Sequence, residues 1–256
     1  MNSSEPFVEA LAGVRKVVEA DGVVDLAETA YLLRICRPYA EHGNVAAQKL
    51  VALLEAVRAD GVITADESRE VLSMLEAIST GTLGLADYVK VIPDFPKPGV
   101  MFRDVTGILE HVEGFRLAIS LMEDSLEGQP VDLVAAPESR GFIFGSALAD
   151  RLGAAFAPIR KPGKLPRETV SEQYDLEYGK AELHLHRDAV IPGERVVIVD
   201  DLLATGGTAA AAARLVERLG GKVVKMVFPI ELEGFGARRN ALKAYDVVSL
   251  LKYPGK

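Results

Sequence analysis

The sequence predicts an α/β fold with a mainly parallel, twisted sheet flanked by helices, preceded by an all-helical domain. Short apolar runs typical of buried strands alternate with helical patterns between residues 131 and 230, and this alternation indicates right-handed βαβ units. Residues 7–79 instead carry apolar side chains at helical spacing almost throughout. We therefore expect an all-helical extension at residues 1–82 and the α/β domain at residues 83–256.

The composition restricts the class of protein. The 256 residues are 49% apolar, which is enough for a packed core in one large or two modest domains. No apolar run approaches the roughly 20 residues of a membrane-spanning helix, and we expect neither a membrane span nor an export signal. The net charge of −8 argues against general nucleic-acid binding. Because Cys36 is the only cysteine, no intrachain disulfide can form, and we expect a reducing, cytoplasmic setting.

The helical extension contains a weak internal repeat. Residues 20–28 resemble residues 59–67, and in each copy a glycine ends one helix before an acidic or hydroxyl residue caps the next. Both copies lack the ligand residues of a calcium-binding EF-hand, so we predict a helix–turn–helix repeat. Residues 1–80 have 7 Lys and Arg against 13 Asp and Glu, and this net charge of −6 disfavours duplex DNA. We expect the extension to pack on the other domain or to mediate self-association, with a linker near residues 79–84.

The most informative stretch runs from Val196 to Thr208. Four β-favouring apolar residues end at the adjacent carboxylates Asp200 and Asp201, and an Ala-rich helix follows a short turn. This turn consists of Ala204, Thr205, Gly206, Gly207 and Thr208. Its backbone amides can face a phosphate at the helix N-terminus, and the carboxylates can accept hydrogen bonds from vicinal ribose hydroxyls. The stretch therefore predicts a site for a phosphorylated sugar.

Charged residues also follow the ends of other predicted strands. They should converge with Asp200 and Asp201, because ligands of parallel sheets bind beyond the carboxyl ends of the strands. The basic residues that suit a pyrophosphate are Arg140, Arg160, Lys161 and Lys164. The two carboxylates suit Mg²⁺, directly or through water, because magnesium is usually held by few carboxylates together with substrate phosphates.

Three further segments have alternative interpretations. The long polar stretch Lys161–Gly179 is either a lid that excludes water or a plain surface loop. The proline-rich segment Ile92–Thr106 is expected to be irregular, and it either lines a site or packs as an arm. His184 and His186 have the i, i+2 spacing of a two-histidine metal site, but no cysteine or third ligand lies close by in the sequence, so we favour a structural role for them.

Taken together, these motifs closely resemble the type I phosphoribosyltransferases, and among them the adenine phosphoribosyltransferase family. The resemblance covers residues 86–254 and leaves the helical extension outside. Five segments look like the family's N-terminal arm, pyrophosphate loop, flexible catalytic loop and phosphoribosyl-pyrophosphate (PRPP) signature. These segments are Asp94–Asp104, Ser139–Gly145, Arg160–Pro166, Leu176–Leu183 and Val197–Thr208. One departure is Ala136-Pro137, where the family often has a glycine followed by an apolar residue.

The resemblance implies an Mg²⁺-dependent enzyme of purine salvage, cytoplasmic and homodimeric, with a small hood beside the sheet. Its reaction would transfer 5-phosphoribosyl from PRPP to N9 of adenine, which gives AMP and pyrophosphate. The turn from Ala204 to Thr208 would hold the 5′-phosphate, and Asp200 and Asp201 would hold the ribose hydroxyls.

The resemblance also assigns the rest of the site. The residues that would meet the pyrophosphate are Glu138, Ser139, Arg140, Lys161 and Lys164, and the Glu138–Ser139 peptide would be strained or cis. Met101 and Arg103 would frame the adenine. Glu177 and Tyr178 would close over the reacting centre as catalytic residues beside Arg140, and Glu177 would handle the proton.

Two other functions remain open from the sequence. One is a PRPP-sensing regulator whose N-terminal domain binds DNA; the acidic extension and the presence of Glu177 and Tyr178 argue against it. The other is a phosphoribosyltransferase for a different base. Segment Asp94–Asp104 argues against xanthine and orotate, whereas hypoxanthine and guanine are separated from adenine only by assay.

Overall fold

In the computed structural model the chain divides into two compact units, Met1–Asp87 and Tyr88–Lys256. The boundary expected from the sequence lies slightly earlier, between residues 82 and 83. The structure describes residues 7–12, 22–80, 84–175 and 180–255. No helix within these ranges is long and apolar enough to cross a membrane.

The first unit is helical, as the apolar spacing predicts. Residues 7–12 are helical, and the helices that follow are α1 (Leu26–Glu41), α2 (Val45–Val57) and α3 (Ala65–Thr80). Side chains at the predicted spacing form one buried core, which includes Phe7, Leu32, Leu50, Leu54 and Leu75. The prediction of an all-helical extension is confirmed for the described residues.

The internal repeat has a structural counterpart at the starts of α1 and α3. The Asp25 carboxylate accepts a hydrogen bond from the Glu28 amide at 2.8 Å, and the Glu28 carboxylate accepts one from the Asp25 amide at 3.0 Å. Thr64 and Glu67 form the same reciprocal pair before α3, at 3.2 and 2.8 Å. Each copy is therefore a capping box that begins a helix. Among the described residues, no group of three or more His, Cys, Asp or Glu side chains could hold a metal ion.

The second unit is built on a six-stranded sheet in which every pair is parallel. Its strands are β3 (Leu133–Pro137), β4 (Ala155–Ile159), β7 (Arg195–Val199), β8 (Leu202–Leu203), β9 (Lys222–Leu232) and β10 (Val247–Tyr253). The order is β10-β9-β7-β3-β4, with β8 paired to β9. All of β3 and the last four residues of β7 are buried, as is typical of a parallel sheet covered on both faces. The predicted fold class is confirmed.

Four helices accompany this sheet: α4 (Thr106–Leu109), α5 (Val112–Asp124), α6 (Arg140–Leu152) and α7 (Gly207–Arg218). Helix α6 approaches β3 closely at Gly145, where an added Cβ would lie 2.8 Å from the Cβ of Ala136. Five consecutive alanines of α7, Ala209–Ala213, are buried in the core beside the sheet. Because α6 begins soon after β3 and α7 soon after β8, both helix N-termini lie at the carboxyl edge of the sheet.

Two antiparallel hairpins occupy parts of the two segments that were expected to be irregular, so these segments contain less loop than predicted. Strand β1 (Lys90–Pro93) pairs with β2 (Met101–Asp104), so the proline-rich segment is irregular only between them. Strand β5 (Thr169–Asp175) pairs with β6 (Lys180–His186) at all seven positions, so the stretch expected to be one long loop is a regular strand from Thr169. The antiparallel partner supplies the backbone hydrogen bonds that a loop would lack. Residues 176–179 lie outside the described part of the chain.

Candidate active site

Asp200 and Asp201 follow β7 directly, Asp200 half-buried and Asp201 buried. Asp201 is 6% exposed, and its amide donates to Asp200 Oδ1 at 2.9 Å. Burial raises the pKa of Asp200 well above its ordinary value, and the neighbouring Asp201 charge raises it further. Burial also raises the pKa of Asp201, and the Arg140 charge opposes that rise. Two carboxylates that are expensive to ionise without a partner are thus held side by side.

The N-terminus of α6 lies against this pair. A Cβ on Gly141 would lie 2.8 Å from Asp200 Oδ1 and 3.1 Å from the Val199 carbonyl oxygen, so only glycine lets the helix approach so closely. Arg140 Nε lies 2.8 Å from Asp201 Oδ2. The contact is an ion pair without an aligned N–H, since Asp201 Oδ2 is buried and has no hydrogen-bond donor among the residues that the structure describes. That oxygen can therefore accept a hydrogen bond from a ligand hydroxyl or bind a cation.

The turn between β8 and α7 is shaped by its glycine. Gly206 has φ +83°, and a Cβ there would lie 3.1 Å from both Ala237 Cβ and Leu242 Cγ. Helix α7 has 12 residues and no side-chain cap at its start. Its first amides are therefore not satisfied by a capping side chain, and together with the helix dipole they suit an anion.

The segment after β3 is held by a charged pair. The peptide between Glu138 and Ser139 is cis, one of the two geometries that the resemblance implied. The Arg160 guanidinium donates to the Glu138 carboxylate, and this hydrogen bond is the main reason that the pKa of Glu138 is lowered. Arg160 also lies 5.7 Å from the ring centroid of Phe142. Its charge, which the sequence suggested for pyrophosphate, is paired with Glu138 in this structure.

Lys161 and Lys164 follow β4 in an exposed turn. Neither forms an ion pair with another residue of the described ranges. Lys161 lines a cavity of about 400 Å³, together with Pro162, Gln173, Tyr174, Ala181 and Glu182. Both lysines therefore keep their charge available for a ligand, and Lys161 lies beside a cavity bounded by the β5–β6 hairpin.

Met101 and Arg103 lie on β2. Met101 is 56% exposed, and the Arg103 guanidinium lies over the ring of Tyr253 at 4.4 Å from its centroid. The last residue of β2, Asp104, lies close enough to Arg140 to be influenced by its charge. Burial acts to raise the pKa of Asp104, but hydrogen bonds from Thr106 and the charges of Lys90 and Arg140 bring it below its ordinary value. The stacking of Arg103 on Tyr253 was not predicted from the sequence.

The remaining candidates lie elsewhere or outside the described residues. Glu177 and Tyr178 fall in residues 176–179, of which the structure says nothing. His184 Nδ1 lies 3.1 Å from the Thr169 hydroxyl and its Nε2 lies 3.4 Å from Glu182, while His186 is buried. The structure thus brings together Asp200, Asp201 and Arg140, and it brings Glu138 to Arg160.

Comparison with known proteins identifies the family. The model of the phosphoribosyl transferase domain matches residues 104–252. The chain belongs to the phosphoribosyltransferase family. This phosphoribosyltransferase is 52% identical over 172 residues to an adenine phosphoribosyltransferase of Lachnoclostridium phytofermentans, which is 67% of this chain and 98% of that protein. It is 51% identical over 171 residues to the adenine phosphoribosyltransferase of Thermotoga petrophila, 67% of this chain and the whole of that protein.

Solved structures give the same result for the phosphoribosyltransferase fold. The adenine phosphoribosyltransferase of Thermoanaerobacter pseudethanolicus superposes with a TM-score of 0.62 at 53% identity, over 65% of this chain and 96% of that one. The Saccharomyces cerevisiae enzyme, solved with an imino-altritol bisphosphate and adenine, superposes with a TM-score of 0.60 at 37% identity, over 64% and 94%.

Proposed function

We propose that the chain is an adenine phosphoribosyltransferase of purine salvage. It would transfer 5-phosphoribosyl from PRPP to N9 of adenine and release AMP and pyrophosphate. The observation that carries the proposal is the adjacent carboxylates Asp200 and Asp201, of which Asp201 is buried, just before the uncapped N-terminus of α7. The chain is also more than half identical to proteins of that name over nearly their whole length.

The phosphosugar fits the two halves of this site. The amides of Ala204 to Thr208 and the dipole of α7 bind the 5′-phosphate. Vicinal ribose hydroxyls donate to Asp200 and Asp201, and the orphaned Oδ2 of Asp201 is a ready acceptor. These hydrogen bonds also stabilise the carboxylates in their ionised form, which burial alone disfavours.

The leaving pyrophosphate needs positive charge as the C1–O bond breaks. Arg140, Lys161, Lys164 and the Glu138–Ser139 backbone supply the protein's part, and Arg140 is 45% exposed, so it has donors left for a ligand. Two adjacent carboxylates, with no third carboxylate, histidine or cysteine beside them among the described residues, fit an Mg²⁺ ion that is held mainly by substrate phosphates. When bound, Mg²⁺ would neutralise charge on the pyrophosphate.

Adenine would be framed by Met101 and Arg103, with Arg103 held in place by Tyr253. Glu177 and Tyr178, which lie between β5 and β6 in the sequence, would close over the reacting centre. Exclusion of water there protects the oxocarbenium-like C1 until N9 attacks, and Glu177 would take the N9 proton. We further propose that the enzyme is a cytoplasmic homodimer.

The test is AMP formation from PRPP, Mg²⁺ and a panel of bases by the full-length protein. Adenine should be converted, whereas hypoxanthine, guanine and xanthine should be converted far more slowly, and a chelator should stop the reaction until Mg²⁺ is restored. Faster turnover of another purine would overturn the base assignment. Binding of PRPP without turnover of any base would overturn the enzyme and favour a PRPP sensor.

A further inference from the structure

One face of β5 is fastened to α7, the helix whose N-terminus carries the phosphate site. Val170, Glu172 and Tyr174 alternate along the strand and so lie on the same face. Val170 and Tyr174 pack against the core cluster that includes Ala209–Ala213. Glu172 accepts from Arg214 Nε at 2.6 Å and also from Arg218, and these two arginines lie one turn apart on α7. Strand β5 is thus fixed in register against the helix.

Tyr174 extends this contact to the phosphate turn. The Thr208 hydroxyl donates to the Tyr174 phenol oxygen at 3.3 Å. Thr208 is the second residue of α7, so its hydroxyl lies among the amides expected to bind the 5′-phosphate. A hydroxyl has one proton and two lone pairs, and its proton rotates to suit its partners. Thr208 can therefore donate to a phosphate only if its bond to Tyr174 is reversed.

We propose that Tyr174 is a positioning residue for the 5′-phosphate, acting through Thr208; this inference rests on the proposed function of the α7 site. When phosphate is bound, the Tyr174 hydroxyl donates to Thr208 Oγ1, and the Thr208 proton turns to the phosphate. Because Glu172 locks β5 onto α7, the phenol is held ready for that role.

The expected effect is modest and confined to one end of the substrate. Loss of a single hydrogen bond to a neutral hydroxyl should weaken the affinity for ribose 5-phosphate by about 3- to 10-fold. The affinity for adenine should not change, because the Thr208 hydroxyl lies at the phosphate end of the site.

The experiment is calorimetric titration of ribose 5-phosphate into the full-length protein and its Tyr174→Phe variant, which keeps the ring and its packing. Tyr245→Phe is the matched control, since the Tyr245 hydroxyl also bonds to α7, at Glu217 near the other end of the helix, at 3.2 Å. A Thr208→Val background completes a double-mutant cycle. Tyr174→Phe should weaken binding, Tyr245→Phe should not, and Tyr174→Phe should have no further effect beside Thr208→Val.

Three results would overturn the assignment of Tyr174. The first is that Tyr174→Phe binds ribose 5-phosphate as tightly as the wild type, and the second is that Tyr174→Phe and Tyr245→Phe weaken binding equally. The third is that Tyr174→Phe reduces the affinity as much in the Thr208→Val background as in the wild type. The proposed function is judged separately. A wild-type protein that shows the expected pattern for ribose 5-phosphate but forms no AMP would contradict the enzyme and leave the role of Tyr174 standing.

Discussion

Arg140 Nε lies 2.8 Å from Asp201 Oδ2, yet no N–H of the described part of the chain forms a hydrogen bond to this buried oxygen. The pair attracts by charge while the carboxylate keeps an unused acceptor. An unsatisfied buried acceptor lowers the stability of the free protein, and a ligand hydroxyl that reaches it recovers that loss. The burial of Asp201 Oδ2 therefore favours the ligand-bound protein over the free protein.

The first prediction concerns Asp200→Asn. Burial raises the pKa of Asp200. At pH values between the ordinary and the raised pKa, the folded chain therefore holds a proton that the unfolded chain has already lost. The free energy of unfolding falls as the pH rises through that window. The amide removes this fall while keeping the oxygen that accepts from the Asp201 amide. At neutral pH the ligand-free variant should be more stable by about 1 kcal/mol, measured by thermal unfolding across the pH range.

Asp132→Asn is the control for that measurement and should behave in the opposite way. A hydrogen bond from Arg195 lowers the pKa of Asp132 to about 2, so its contribution is present above the ordinary pKa and is lost as the pH falls. The variant should be less stable than the wild type at neutral pH. If Asp200→Asn also destabilises the ligand-free protein at neutral pH, burial does not disfavour the ionised form of Asp200.

A second prediction concerns Gly206→Ala. The residue has φ +83° and contacts Ala237 and Leu242, so a methyl group adds a collision to backbone strain. Denaturant unfolding should show a loss of about 1–3 kcal/mol, and the affinity for ribose 5-phosphate should fall. Gly193→Ala has a similar φ of +92° with nothing within 4 Å, so it isolates the strain alone. Equal losses in the two variants would mean that the packing behind the turn is unimportant.

A third prediction separates Glu138 from the phosphate-binding charges. Arg160→Met removes the guanidinium partner of the Glu138 carboxylate beside the proposed pyrophosphate site, so stability should fall by about 1–3 kcal/mol and the pyrophosphate should bind less tightly. Adding Glu138→Gln should recover much of both losses, because the carboxylate charge is then gone. If the double variant is as impaired as Arg160→Met, Arg160 contacts pyrophosphate itself. Unfolding curves and pyrophosphate titrations provide the two readouts.

A fourth prediction concerns the helical first unit. The relatives align over nearly their whole length with about two thirds of this chain, and the family model begins only at residue 104. Deletion of residues 1–84 should therefore leave AMP formation within about threefold of the wild type, a change below 1 kcal/mol in barrier. A much larger fall in kcat with unchanged assembly on sizing would assign the first unit a regulatory role.

Local patterns predicted much of the fold and the centre of the site. The strand ending at Asp200, the glycine turn and the Ala-rich helix are adjacent in sequence, so their arrangement follows from propensity and spacing. The pairings Glu138–Arg160, Arg103–Tyr253 and Tyr174–Thr208 join residues far apart in the chain, and no local pattern specifies them. The alternation of Val170, Glu172 and Tyr174 was a strand signal, but the polar composition around it suggested a loop.

The measurement that tests the central claim most directly is the initial rate of AMP formation against PRPP concentration, with Mg²⁺ and saturating adenine, for the wild type and Asp201→Asn. The wild type should form AMP. The KM of the variant for PRPP should be at least about tenfold higher, because a charged acceptor for a ribose hydroxyl is lost. Its KM for adenine should not change. A wild-type chain that forms no AMP, or a variant with the same PRPP dependence as the wild type, would contradict the account.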